Sequence, residues 1–169
     1  APAAGAAVES RGVSREFLSH LGAVTIDALN RHAEGSALVF VPGAREVDHV
    51  VADLRSRLAG MEVVGLSGAM SAREQDHALS DPGSVRRVIV STAAAESSLT
   101  VPGVRLVVDS GLSREPRLDR GRGMTGLVTV RESRASAVQR AGRAARLGPG
   151  VAVRCLRAQD WAGMCADPA

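Results

Sequence analysis

Ala37-Leu38-Val39-Phe40-Val41, Glu62-Val63-Val64-Gly65-Leu66 and Arg87-Val88-Ile89-Val90-Ser91 are three short runs rich in β-branched residues. Between the first two, residues 44–58 place Val47, Val50, Val51, Leu54 and Leu58 on one helical face. Between the second and third, residues 71–79 form a second helical pattern, with Ser71 as N-cap and Glu74 completing a capping box. The reading is βαβαβ. The strands are apolar along their length rather than alternating, which implies a parallel sheet covered on both faces.

Working outward, residues 15–33 carry Leu18, Leu21, Val24 and Leu29 at near-helical spacing, closed by Gly35. Residues 1–14 have no periodicity and are expected to be a linker or flexible start, which leaves residues 15–169 as one domain. Downstream, residues 104–108 predict a fourth strand. A turn at 120–126, with 127–130 as its returning arm, predicts a β-hairpin. A helix over 134–146 and a strand over 151–156 complete an α/β fold: a parallel sheet of about five to six strands flanked by helices, with the hairpin inserted before the last helix.

Composition agrees with one α/β domain. The chain has 169 residues and only three aromatics, Phe17, Phe40 and Trp161, so its core relies on Val, Leu and Ala. All 21 basic residues are arginine. Residues 1–85 carry seven Arg against eleven acids, and residues 86–169 carry fourteen against seven, so the second half favours phosphates or an acidic partner; a merely soluble arginine-rich surface fits composition equally. Cys155 and Cys165 lack zinc or disulfide spacing and are expected to be free thiols in a cytoplasmic protein. No apolar run is long enough to span a bilayer, so no membrane partner is expected.

Chemistry concentrates in Gln139-Arg140-Ala141-Gly142-Arg143-Ala144-Ala145-Arg146. On a regular helix, Gln139, Arg143 and Arg146 fall within about 60° of arc, opposite Ala137, Val138, Ala141, Ala144 and Ala145. Two guanidiniums on one row can neutralise charge developing on a transferring phosphoryl group, while a neighbouring amide orients water. The residues alone fit an amphipathic helix with a solvated arginine face at least as well.

The same segment resembles motif VI of the DEAH-box superfamily-2 helicases, QRxGRxGR, with Ala145 in place of the second glycine. Val90-Ser91-Thr92-Ala93-Ala94-Ala95-Glu96-Ser97-Ser98-Leu99-Thr100 resembles motif V, with Pro102 where the family carries an acid that holds ribose. Leu38-Val39-Phe40-Val41-Pro42-Gly43 is similar to motif IV, and Leu66-Ser67-Gly68-Ala69-Met70 to a loop that grips nucleic acid. The motifs occur in family order across residues 37–156, and the stretch from Val107 to Gly150 most resembles the bacterial HrpB branch.

The resemblance implies a second RecA-like domain. It assigns catalytic roles to Gln139, Arg143 and Arg146, nucleotide contacts to Thr100, Leu79 and Gly142, and nucleic-acid contacts to Thr92, Ser67, Gly68, Gly43 and Arg45. It implies ATP with Mg2+ as cofactor, the Mg2+ ligands lying on a first RecA-like domain of the same chain, and single-stranded RNA or DNA as substrate. The hairpin would lie near a duplex junction; a plain surface hairpin is the alternative. A chain without lysine contains no P-loop, so this segment is expected to be inactive alone. A non-catalytic binding module with a degenerate helicase fold is the competing expectation.

Other patterns carry less. Gly121-Arg122-Gly123-Met124-Thr125-Gly126 fits GxGxxG but opens no helix, Glu74-Gln75-Asp76-His77 lies within a helix rather than after a strand, and the four histidines lack metal-ligand spacing. No metal site is expected.

Overall fold

The computed structural model describes residues 8–9, 12–68, 70–80, 83, 85–93, 101–119, 121, 123–145, 150–155, 161–162 and 164–166. Within the first fourteen residues, β1 (Val8–Glu9) and β2 (Gly12–Val13) form a short antiparallel ladder. Ser14 then caps α1 (Arg15–Arg31), its hydroxyl accepting from the Phe17 amide at 3.2 Å.

β3 (Ser36–Phe40), α2 (Ala44–Arg57), β4 (Glu62–Leu66), α3 (Ala72–Leu79) and β5 (Arg87–Ser91) form the βαβαβ unit. β6 (Val104–Asp109) and β9 (Val151–Arg154) extend it to a five-stranded, all-parallel sheet in the order β4-β5-β3-β6-β9. Strand alternation divides the interior. Ala37, Val39, Val41, Val88, Val90, Leu106 and Val108 pack with α1 and α2. Leu38, Phe40, Ile89 and Val107 pack on the other face with Ala78 of α3 and Ala144. The domain is thus a helix–sheet–helix sandwich, as continuous apolar strands require.

Two adjacent arginines at the start of β5 fasten helices on opposite sides. Arg86 donates to the carbonyls of Leu29 (3.1 Å), Gly35 (2.6 Å) and His32, closing the C-terminal end of α1. Arg87, 1% exposed, donates to His77 (3.2 Å) and Ser80, closing α3. Both satisfy carbonyls that a helix end leaves without an intrahelical partner. The other end of α3 carries the capping box: the Glu74 amide donates to Ser71 Oγ at 3.3 Å, and the Ser71 amide donates to Glu74 Oε2 at 2.9 Å. The free edge of β4 is covered by Arg55, whose Nε and Nη2 both donate to the Val63 carbonyl, at 3.0 and 2.9 Å.

The inserted hairpin consists of β7 (Leu112–Asp119) and β8 (Met124–Arg131), in register from Leu112↔Arg131 to Asp119↔Met124. Its arms are longer than the expected turn and return, because pairing continues through Gly126 to the base.

The helix expected over 134–146 is shorter than its sequence pattern. α4 spans Arg134–Ala141 and tightens into a 3-10 turn over Gly142–Ala145. Gly142 weakens a helix interior by about 1 kcal/mol relative to alanine, and the tighter turn delivers Ala144, 2% exposed, onto the sheet. A 3-10 turn advances each residue by roughly 120° rather than 100°, so the α-helical row through Gln139 and Arg143 does not hold. Val138, expected on the packing face, is 59% exposed, whereas Arg140 is fully buried.

Candidate nucleotide and nucleic-acid interface

Parallel sheets place their variable loops at the carboxyl ends of the strands. β4, β5 and β3 end side by side, and the expected nucleic-acid contacts follow them: Ser67 and Gly68 after β4, Thr92 after β5, and Gly43 and Arg45 after β3. The Thr92 amide donates to the Leu66 carbonyl at 3.2 Å, which ties the first two loops together. Gln75 Nε2 donates to the carbonyls of Ser67 (3.3 Å) and Met70 (3.2 Å), bracing the turn from α3. Gly68 and Arg45 are exposed, Thr92 is half-buried and Ser67 is buried.

Gly43, the N-cap of α2, is buried beneath the hairpin: a β-carbon there would lie 2.8 Å from Arg114 Cζ and 2.7 Å from Glu46 Oε2. Arg114 of β7 and Glu46 of α2 pair above it at 3.7 Å. Glycine therefore serves close packing at this position.

β6 leads to the other cluster. Its last residue, Asp109, is buried, and Asp109 Oδ1 accepts from the Gly111 amide and from Arg140 Nη1, each at 2.9 Å. α4 and its 3-10 turn pack over β6, placing Gln139 at the exposed surface and Arg143, 9% exposed, against the protein. Gly142 is exposed, with no atom within 4 Å of a β-carbon built on it. Leu79 is partly buried against the Leu38–Phe40–Leu66 cluster, so its side chain contributes to the core. Thr100 and Arg146 lie outside the described residues.

Reading the sequence for site residues missed Arg140, Asp109, Glu132, Glu46 and Arg114. Of these, Asp109 carried a signal: an acid directly after a buried apolar strand must find a partner. Cys155 sits beside it, its amide donating to the Asp109 carbonyl at 2.9 Å. Burial, reinforced by the Asp109 charge, pushes the Cys155 thiol up to about 12, so it is no nucleophile at neutral pH. Among the described residues no group of three or more His, Cys, Asp or Glu side chains is arranged to hold a metal, and no helix is long and apolar enough to cross a membrane.

Comparison with known proteins places this geometry. The family model for the helicase conserved C-terminal domain matches residues 19–148. The ATP-dependent RNA helicase HrpB of Escherichia coli is 43% identical over 137 residues, covering 79% of this chain and 17% of that protein. A probable ATP-dependent RNA helicase, the DHX35 homolog of Caenorhabditis elegans, is 38% identical over 141 residues, covering 79% of this chain and 19% of that protein. The crystal structure of the E. coli DExH-box NTPase HrpB superposes with a TM-score of 0.84 at 37% identity, covering 90% of this chain and 19% of that one. The chain therefore spans about a fifth of the length of these relatives. With a five-stranded parallel sheet, a hairpin ahead of the motif VI helix and matches of this extent, the chain belongs to the helicase conserved C-terminal domain family, as a RecA-like domain of the DEAH-box type.

Proposed function

We propose that residues 15–169 form the second motor domain of a cytoplasmic, ATP-dependent DEAH-box helicase acting on RNA or DNA, with residues 1–14 as the linker into it. A first RecA-like domain of the same polypeptide would carry the P-loop and the ligands of Mg2+. The observation that carries the reading is the shared edge of the sheet. Ser67, Gly68, Thr92 and Arg45 follow three adjacent strand ends, and the segment with Gln139 and Arg143 packs over β6 in the same sheet.

The donor chemistry fits the role. ATP supplies the phosphoryl group. Arg143, with Arg146, neutralises charge developing there when the cleft closes, and Gln139 orients the attacking water. Gly142 leaves room for close approach, and Thr100 lies toward the nucleotide. Leu79 offers apolar packing for a base only from its exposed part. On the strand side, the Ser67–Gly68 turn, Thr92, Arg45 and the Gly43 loop hold the phosphate backbone without reading sequence. Opening and closing of the cleft then shifts one domain along the strand.

The test is nucleic-acid-stimulated ATP hydrolysis by the full-length polypeptide, comparing Arg143→Ala and Arg146→Ala with wild type and checking folding by circular dichroism. Each variant is expected to lose roughly a thousandfold in turnover, as removal of an arginine finger does. Unchanged turnover in folded variants would replace this reading with that of a non-catalytic nucleic-acid or protein-binding module.

A further inference from the structure

Three buried charges meet where the hairpin leaves the sheet. Arg140 Nη1 on α4 lies 2.9 Å from Asp109 Oδ1 and 3.0 Å from Glu132 Oε2, and donates to the Leu112 carbonyl at 3.1 Å. Arg140 and Glu132 are both wholly buried, and Asp109 nearly so. The partners come from different parts of the fold: Asp109 ends β6, Leu112 opens β7 and Glu132 directly follows β8. The Arg140 guanidinium also stands 5.1 Å over the Phe40 ring at the end of β3. Backbone bonds knit the same junction, the Glu132 amide donating to the Gly111 carbonyl at 3.0 Å.

Holding ions in an interior costs several kcal/mol each in lost hydration, and apolar side chains of similar size would often pack as stably. A guanidinium adds direction. Its rigid plane, held over the Phe40 ring, fixes where Nη1 stands among the three groups it bridges, which interchangeable apolar contacts do not. Arg140 directly follows Gln139 and precedes Arg143 by three residues. Any tilt of the hairpin base that moves Glu132 or Leu112 therefore pulls on the segment that carries both.

We propose that Arg140 is a positioning residue that couples the hairpin to the turn bearing Arg143, with Glu132 as the hairpin side of the coupling and Asp109 as the sheet side. This rests on the reading of the chain as a motor domain. In that setting, with the hairpin at a duplex junction, its angle and the placement of Gln139 and Arg143 change together, so strand separation stays in step with hydrolysis.

Glu132→Gln in the full-length polypeptide tests the coupling with the least disturbance, since it keeps shape and an acceptor while removing the hairpin-side charge. ATP turnover and KM are expected to stay within about threefold of wild type, while duplex separated per ATP falls about tenfold. Amides of β7 and β8 are expected to exchange about tenfold faster, with β3 and β5 unchanged. Arg140→Lys, which keeps a charge but loses the rigid plane held over Phe40, is expected to shift the same two readouts in the same direction. A parallel fall in hydrolysis and separation would overturn the coupling and leave a structural ion cluster. So would unaltered hairpin exchange. If wild type itself neither hydrolyses ATP nor separates strands, the motor reading fails, and the exchange comparison still decides whether Glu132 and Arg140 hold the hairpin.

Discussion

Arg87 is the residue whose loss the fold should feel most among the arginines at helix ends. It is 1% exposed, and its guanidinium meets the His77 and Ser80 carbonyls at the end of α3. Alanine removes two hydrogen bonds from a charged donor, each contributing about 1.5–3 kcal/mol; the Ser80 carbonyl loses this donor, while the His77 carbonyl keeps the Ser80 amide and hydroxyl, so the expected loss is about 3–5 kcal/mol. That is a large share of the roughly 5–15 kcal/mol that holds a domain folded. Urea unfolding followed by helical circular dichroism measures it directly. With a slope of about 2 kcal/mol per molar, the midpoint should fall by about 2 M. Arg87→Lys, with one donor group in place of the fork, should fall between wild type and alanine. Arg45→Ala, an exposed position, should lie within about 0.5 kcal/mol of wild type. An Arg87→Ala midpoint indistinguishable from that of Arg45→Ala would refute the argument that a buried guanidinium closes α3.

Further expectations follow from the same geometry. Cys165 is exposed and Cys155 is buried with its thiol pushed up to about 12, so a thiol reagent at pH 8 should modify one cysteine in the native protein and two after denaturation. Because the folded state keeps the Cys155 proton longer than the unfolded chain, stability should decline as pH rises from the ordinary thiol value of 9.0 toward that figure, and Cys155→Ala should remove the decline. The Ser71 hydroxyl and amide hold the Glu74 carboxyl below its usual 4.5. Its capping contribution is thus present above that pH and lost as pH falls through the lowered value, and Glu74→Gln should abolish this acid sensitivity in amide exchange along α3. Arg45→Ala in the full-length polypeptide should weaken nucleic-acid binding equally across sequences and reduce the slope of log affinity against log salt by about one; an unchanged slope would remove Arg45 from the interface.

Much of the architecture was legible because the strands are unusually uniform. Runs such as Leu38-Val39-Phe40 and Val88-Ile89-Val90 have no polar face to present to water, so they specify a covered parallel sheet, and all five expected strands form within a few residues of their expected limits. The α3 capping box was equally readable, because Ser71 and Glu74 act within one turn. The end of α4 was not. Periodicity across Gly142 looks helical, yet the position of the backbone there depends on Ala144 reaching Leu38, Phe40 and Val107, which are far away in the chain. Charge was the other blind spot. Composition invites reading the arginines of the second half as a basic surface, but Arg86, Arg87 and Arg140 are spent inside the domain on carbonyls and carboxylates. Burial of an arginine depends on partners that local sequence does not announce, and the same holds for Glu132, which follows the exposed Arg131 and gives no outward sign of an interior partner.

The strand order has a consequence for how the domain is made. Of the five strands of the sheet, β3 is made first and ends in its centre, but β4, made next, does not touch it; β5 must enter between them. Until Arg87–Ser91 has been synthesised, β4, at the edge of the sheet, lacks the strand it pairs with. During that interval α2 and Arg55 are its main native company: the α2 core residues pack beside Val63, and Arg55 covers the Val63 carbonyl. The arrival of β5 then joins β4 to β3, and β6 completes the pairing on the other side of β3, so nascent chains arrested before residue 91 should stay protease-sensitive while those extended past residue 109 should not.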